Sequence, residues 1–284
     1  MQFIKIAEFT PDTDISPVTR ALDEGNIHYK LVEEKGMQVL WVDAEAHVGE
    51  VVSIVRAAAE DIEHRLEATG VRPAPSIGLQ FHRTPVMMVA LMLSIAGALL
   101  VSFQFPLLHW FTFQDFRLIS STEIEFSPLA ESLALGQYWR LFTPMFIHFG
   151  VFHIAFNGLW LWEFGRRIET LAGSLHFLML ILAIALVSNY CQYLWDGPSL
   201  FGGMSGVLYG LLGYIWIRNL IAPSPSLRLP KGIIGFMLIW LAVCMSGAIT
   251  FLFGAGIANA AHVSGLLAGM ALGAIFGVFN RSTS

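Results

Sequence analysis

Ala258-Asn259-Ala260-Ala261-His262-Val263-Ser264-Gly265-Leu266-Leu267-Ala268-Gly269-Met270-Ala271-Leu272-Gly273-Ala274-Ile275-Phe276-Gly277-Val278-Phe279 reads as a single apolar helix. It has one histidine near its start and a glycine at every fourth position from Gly265. About 20 such residues suffice to cross a bilayer as a helix. A histidine inside a segment of this kind is costly and marks function. The uncharged interval extends further back: no Asp, Glu, Lys or Arg occurs from Gly232 to Asn280, 49 residues. At roughly 20 residues per passage, that interval holds two spans.

The rest of the chain carries the same signature. Of 284 residues, 55% are hydrophobic and 13% charged, and the mean hydropathy is +0.64, which excludes an ordinary soluble composition. The charge is concentrated in residues 1–83. A net charge of −5 gives no basic field for nucleic acid. Cys191 and Cys244 lie in apolar segments without metal-ligand spacing and read as buried small hydrophobes. Neither a disulfide framework nor a resident cofactor or metal is implied.

Residues 1–70 read as a small α+β domain. Phe3–Phe9 alternates as a strand, Ser16–Asp23 reads as a helix stopped by Gly25, and Ile27–Val32 and Met37–Val42 form a hairpin around Glu34-Lys35-Gly36. From Glu45 to Ala68, Val48, Val51, Val52, Val55, Ala59, Ile62 and Leu66 recur at helical spacing. Residues 71–84, with Arg72-Pro73-Ala74-Pro75-Ser76-Ile77-Gly78, have the composition of a linker. Met1–Phe9 lacks an apolar signal core, so this domain is expected to stay on the side of synthesis. No catalytic constellation occurs in it, and nothing in it names a partner.

Residues 85–281 are expected to fold as six spans: Val86–Leu108, Met145–Gly165, Leu171–Trp195, Ser205–Ile217, Gly232–Phe253 and Ala258–Phe279. The segment His109–Arg140 is too polar to span and carries Trp110, Phe111, Phe113 and Trp139. Such a mixture suits the membrane interface, where aromatic rings collect. With the N-terminus inside, Arg72, Arg83, Arg166, Arg167, Arg218, Arg228, Lys231 and Arg281 share one side, and Arg117 and Arg140 the other. The excess of basic residues on the inner side favours two cytoplasmic termini. The expected fold is therefore an all-α polytopic membrane protein, a six-helix bundle with a small N-terminal α+β cytoplasmic domain.

In this topology the second, fourth and sixth spans run in the same direction, and they carry His148, His153 and Asn157, then Ser205, then His262. Ser205 stands thirteen residues before Arg218, about 20 Å of helix. With Arg218 at the inner boundary, Ser205 lies roughly 10 Å below the outer edge of a ~30 Å hydrocarbon layer. His153 and Arg166 repeat that spacing. The irregular run Trp195–Gly203 above the short fourth helix must line a wet cavity or be buried in protein.

Each motif has two readings. Gly203-Met204-Ser205-Gly206 could be a serine-capped helix start or a nucleophile, because a hydroxyl with a nearby base becomes reactive. His153 and Asn157 share a helix face and could join helices or donate to a developing oxyanion, together with free N–H groups at the helix start near Ser205. Tyr209, one turn after Ser205, could be a packed core ring or a support stacked on His262. The glycines at 206 and 210, and at 265, 269, 273 and 277, permit close helix packing, which would bring Ser205 to His262. No acidic residue lies at the depth of His262, so the base is expected to work without a carboxylate. His148 and His153 find no third metal ligand. Glu163 and Glu169 read as structural.

Taken together these residues resemble the rhomboid family of intramembrane serine proteases, and most closely its bacterial GlpG branch. The resemblance spans about residues 80–280 and, less specifically, the N-terminal domain. It rests on Tyr138-Trp139-Arg140, His148 followed by His153 and Asn157, the run ending at Gly206, Tyr209, and Ala261-His262 followed by Gly265. It implies Ser205 as nucleophile, His262 as base, His153 and Asn157 as oxyanion donors, and Tyr209, Gly203 and Gly206 as support. It further implies an interfacial hairpin at Trp139-Arg140 and a lateral gate at Trp240 and Phe156. Its substrates would be single-span membrane proteins drawn from the bilayer, with no nucleic acid involved. The stretch between Trp240 and His262 is a few residues longer than the GlpG pattern. Two other classes compete: a non-catalytic relative that only binds membrane helices, and a transporter built on the histidines. A transporter would need polar groups continuing into the inner half, where the sequence has none.

Overall fold

The computed structural model describes residues 3–9, 15–34, 37–43, 48–49, 51–57, 81–120, 123–230, 232–253 and 256–282. They divide into two compact units, Met1–His82 and Arg83–Ser284.

In the first unit, β1 (Phe3–Phe9), α1 (Ser16–Glu24), β2 (Tyr29–Glu34) and β3 (Met37–Asp43) form an antiparallel sheet of order β1-β3-β2 with one helix. Val18 and Leu22 of α1 close on Leu40, Val42 and Val51, the small apolar core that the alternating strands anticipate. The second strand begins two residues later than expected. Ile27 still belongs to the helix end, its N–H bonded to Leu22 O and its side chain packed on the core. Residues 48–49 and 51–57 are helical, while the rest of the expected Glu45–Ala68 helix and the linker at 72–78 lie outside the described residues.

The second unit is built of α2 (Pro85–Ser102), α3 (Leu129–Ala134), α4 (Val151–Trp160), α5 (Arg166–Ala172), α6 (Ser174–Asp196), α7 (Ser205–Ile221), α8 (Ile233–Met245), α9 (Ala248–Phe253) and α10 (Asn259–Ser282). A π-helical turn, Leu161–Gly165, joins α4 to α5. α2, α6 and residues Asn259–Phe279 of α10 are long and apolar enough to cross a membrane, and α8 is a shorter apolar helix. Large apolar side chains such as Val89, Met92, Met179, Leu194 and Ile239 are exposed, as a lipid-facing surface requires. α7 lies at the centre: nearly every residue from Gly206 to Ile215 is buried, so protein surrounds this short helix on all sides.

Several span ends differ from expectation. The first passage stops at Ser102 rather than Leu108, because Pro106 opens a 3-10 turn over Pro106–Trp110. The second begins at Val151 rather than Met145, because Thr143–Phe146 is a 3-10 turn and Gly150 adopts φ +106°. It then runs on to Ala172, where Gly173 at φ +85° reverses the chain into α6. The fifth breaks at Gly247, φ +77°, into α8 and α9. Between α2 and α4 the interfacial segment contains a two-stranded hairpin, β4 (Phe116–Leu118) with β5 (Ile124–Phe126), which no pattern in the sequence announces.

α7 and α10 touch backbone to backbone. A β-carbon on Gly265 would sit 2.1 Å from Gly206 O, one on Gly269 1.8 Å from Gly210 O, and one on Gly273 2.6 Å from Tyr214 O. Only glycine permits that approach, and the four-residue repeat produces it along three successive turns.

Candidate active site

The first pair of these glycines sets the site. Gly206 follows Ser205 at the start of α7, and Gly265 lies nearly one turn after His262 in α10. Their contact brings the two side chains together: Ser205 Oγ and His262 Nε2 are hydrogen-bonded at 2.7 Å. The other ring nitrogen, Nδ1, is buried and without a hydrogen-bond partner among the described residues; a ring that accepts the serine proton on Nε2 carries its own proton there. His262 is 7% exposed, whereas Ser205 is only half-buried, open to an incoming group. Ser205 is the first residue of α7, not its cap; Met204 holds the cap position. The Tyr209 ring lies 5.0 Å from the imidazole, tilted by 44° rather than stacked, and its hydroxyl donates to Met237 O at 3.1 Å. Tyr209 thus ties His262 to α8.

His153 and Asn157 lie on α4. Phe149 N–H donates to His153 Nδ1 at 3.3 Å, which leaves the proton on Nε2. That nitrogen faces the loop before Ser205: a β-carbon added to Gly203 would stand 2.7 Å from His153 Nε2 and 3.7 Å from Ser205 Oγ. Gly203, at φ +121°, therefore packs its bare backbone against the His153 ring near the Ser205 hydroxyl, where any side chain would collide with the imidazole. A tetrahedral oxyanion needs preorganised N–H donors beside the nucleophile, and His153 Nε2–H is a candidate for one. Asn157 is 3% exposed and gives one amide hydrogen to His153 O at 2.8 Å.

His148 has a different part. It is fully buried, bonded through Nδ1 to Phe146 O at 3.0 Å, and accepts Met204 N–H on Nε2 at 3.3 Å. With Gly203 N–H bonded to Pro144 O at 2.9 Å, it pins the irregular loop on which Ser205 stands. Among the described residues no group of three or more His, Cys, Asp or Glu side chains could hold a metal. Phe156 touches Trp240, ring centroids 5.7 Å apart, across α4 and α8.

Trp139 and Arg140 belong to the segment between α2 and α4. Trp139 donates its indole N–H to Trp110 O at 3.0 Å. Arg140, fully buried, donates to Gln137 Oε1 and His109 O at 2.6 Å each and to Thr112 O at 3.1 Å. Burial pushes its guanidinium below the usual arginine range, against the opposing pull of Asp115. It fastens the segment that carries Phe113, and Phe113 packs on Phe201 and Tyr193, just ahead of the serine loop. Glu163 pairs with Arg167, and the buried Glu169 accepts the N–H groups of Val86 and Met87 at 2.9 and 2.8 Å. These contacts make both carboxylates structural.

Sequence reasoning missed Gln192 and Asp196. Gln192, 1% exposed on α6, accepts Ala261 N–H on Oε1 at 3.0 Å and donates from Nε2 to Asp196 Oδ2. The available signal is a polar pair four residues apart near the end of a mostly apolar helix.

Two family models match the chain. One described as a Rhomboid domain covers residues 135–279, and one described as a Rhomboid N-terminal domain covers residues 1–63. The first contains Ser205, His262, His153, Asn157 and Tyr209.

Proposed function

Because the chain belongs to the rhomboid family, we propose that this integral membrane protein is an intramembrane serine endopeptidase, cutting transmembrane substrates near the outer side of the membrane with Ser205 and His262. The observation that carries the reading is the 2.7 Å hydrogen bond between Ser205 Oγ and His262 Nε2, with His153 Nε2 on the other side of the Gly203 backbone. As Ser205 Oγ attacks the scissile carbonyl, its proton passes to His262 Nε2. His153 Nε2–H, the second Asn157 N–H and backbone N–H groups at the start of α7 receive the negative charge on the oxygen. His262 then protonates the leaving amine, and a water molecule, activated by the same imidazole, releases the acyl group from Ser205.

The substrate enters from the bilayer past Phe156 and Trp240, with both termini of the enzyme cytoplasmic and the host membrane a bacterial inner membrane. Support for that orientation comes from the basic residues, which fall mainly on one side. Purified Ser205→Ala and His262→Ala are each expected to lose peptide-bond cleavage while remaining folded in detergent, since neither group acts alone. Residual cleavage by Ser205→Ala above a few per cent of the parent rate would refute the mechanism.

A further inference from the structure

Ala261 immediately precedes the base, and its N–H lies in the first turn of α10, where no intrahelical acceptor is available. Its partner is Gln192 Oε1, reached from α6 at 3.0 Å. On the opposite side Ala261 O lies against Gly206, 3.2 Å from where a β-carbon would be. The peptide that begins the histidine turn is therefore clamped between α6 and α7.

A glutamine amide can present oxygen or nitrogen to a given neighbour, and the partners decide. Ala261 N–H demands oxygen. Presented with the amide nitrogen instead, it would face a second donor. Asp196, one turn after Gln192 on α6, accepts from Gln192 Nε2. An ionised carboxylate has no proton to offer, so it admits only the nitrogen. Both neighbours thus select the same orientation, and the charged acceptor makes the stronger bond. Asp196 is exposed and Gln192 buried, so the charge stays at the surface of the bundle while its effect is transmitted inward.

We propose that Asp196 is a positioning residue of the site: by fixing the Gln192 amide it seats the first turn of α10 and sets His262 against Ser205. The chain of contacts runs from the Asp196 carboxylate to Gln192 Nε2, from Gln192 Oε1 to Ala261 N–H, and along one peptide to His262. It supplies the anionic group that the depth of His262 lacks, two side chains away and through the backbone rather than through Nδ1. The proposal rests on the protease reading for its catalytic consequence, but the clamp itself can be observed without substrate.

The test is a charge swap in the full-length protein. In Asp196→Ala, kcat on a fluorogenic transmembrane peptide should fall between about 10- and 100-fold, the size expected from small misplacement of a catalytic group, with KM and the unfolding midpoint nearly unchanged. Gln192→Glu keeps an acceptor for Ala261 but opposes two carboxylates, and should fall similarly. In the double variant Gln192→Glu with Asp196→Asn the roles reverse. The amide introduced at position 196 donates to the carboxylate introduced at position 192, which still accepts Ala261 N–H. That double variant should recover to within about threefold of the parent. Hydrogen exchange of the peptide containing Ala261 and His262 should quicken in each single variant and slow again in the double. Parent kcat in Asp196→Ala, or a double variant no better than Gln192→Glu, would overturn the proposal. A parent protein that cuts nothing would count against the protease reading alone, because the exchange pattern needs no turnover.

Discussion

Asn157 commits one amide hydrogen to its own helix, the bond to His153 O, and retains a second. An oxyanion donor acts mainly in the transition state, so Asn157→Ala should lower kcat more than it raises KM. The loss is at most the ~10²–10³-fold that one such donor supplies, because His153 and backbone N–H groups remain. Steady-state kinetics on a detergent-solubilised substrate measures this, and a raised KM with unchanged kcat would make Asn157 a packing residue. At this scale the sequence displays the candidate groups but not their tautomers or partners. Ser205, His262, His153 and Asn157 are legible because polar residues inside apolar helices are rare. That His148 supports the serine loop, while His153 turns Nε2 toward the backbone of Gly203, depends on bonds to Phe146, Met204 and Phe149, which no spacing rule gives. Gln192 and Asp196 escape notice because they lie on α6, a helix with no other catalytic candidate.

Among the helices, the contact of α7 with α10 determines whether there is a site at all. Gly269→Ala would drive a β-carbon to 1.8 Å from Gly210 O, so the pair must separate. Overpacking of this kind costs about 1–3 kcal/mol, and it should lower the thermal midpoint and cleavage together. Gly235→Ala on α8, where an added β-carbon meets nothing within 4 Å, is the matched control and should leave both unchanged. Thermal unfolding in detergent with parallel activity assays distinguishes the two. The glycine repeat is plain in the sequence, as is the succession of apolar helices. Their ends are less so. Pro106 and Gly150 interrupt apolar stretches that hydropathy alone would continue, and Gly247 divides what reads as one span. The β4–β5 hairpin has only three residues per strand, too short for alternation to stand out among the aromatic residues around it.

As a whole molecule, the protein combines a small sheet-and-helix unit with a bundle whose centre is the short, buried α7. In the proposed orientation that burial would let Ser205 sit below the membrane surface, with the loop from Gly197 to Met204 on the outer side. If Arg218 marks the inner boundary, the proposed nucleophile would lie roughly 10 Å under the outer one, and cleavage should fall in the outer part of a substrate's single span, at a small residue in a segment that unwinds readily. Mass spectrometry of the products locates the cut, and a cut in the cytoplasmic half would contradict both the depth and the orientation. The shift from a charged first part to an apolar remainder is legible from composition, which bounds a domain at 70 and the spans at 85, and the chain divides into its two compact units at residue 82. The partner of the N-terminal unit is not legible, since its residues form no chemical constellation.

Whether Ser205 is a nucleophile activated by His262 can be read directly with a fluorophosphonate probe, which bonds covalently only to an activated serine hydroxyl. Incubation of the purified protein, followed by peptide mapping, should place a single adduct on Ser205, with none in Ser205→Ala and almost none in His262→Ala. An unlabelled Ser205 in folded protein, or equal labelling when His262 is replaced, would contradict the account and leave a protein that binds membrane helices without cutting them.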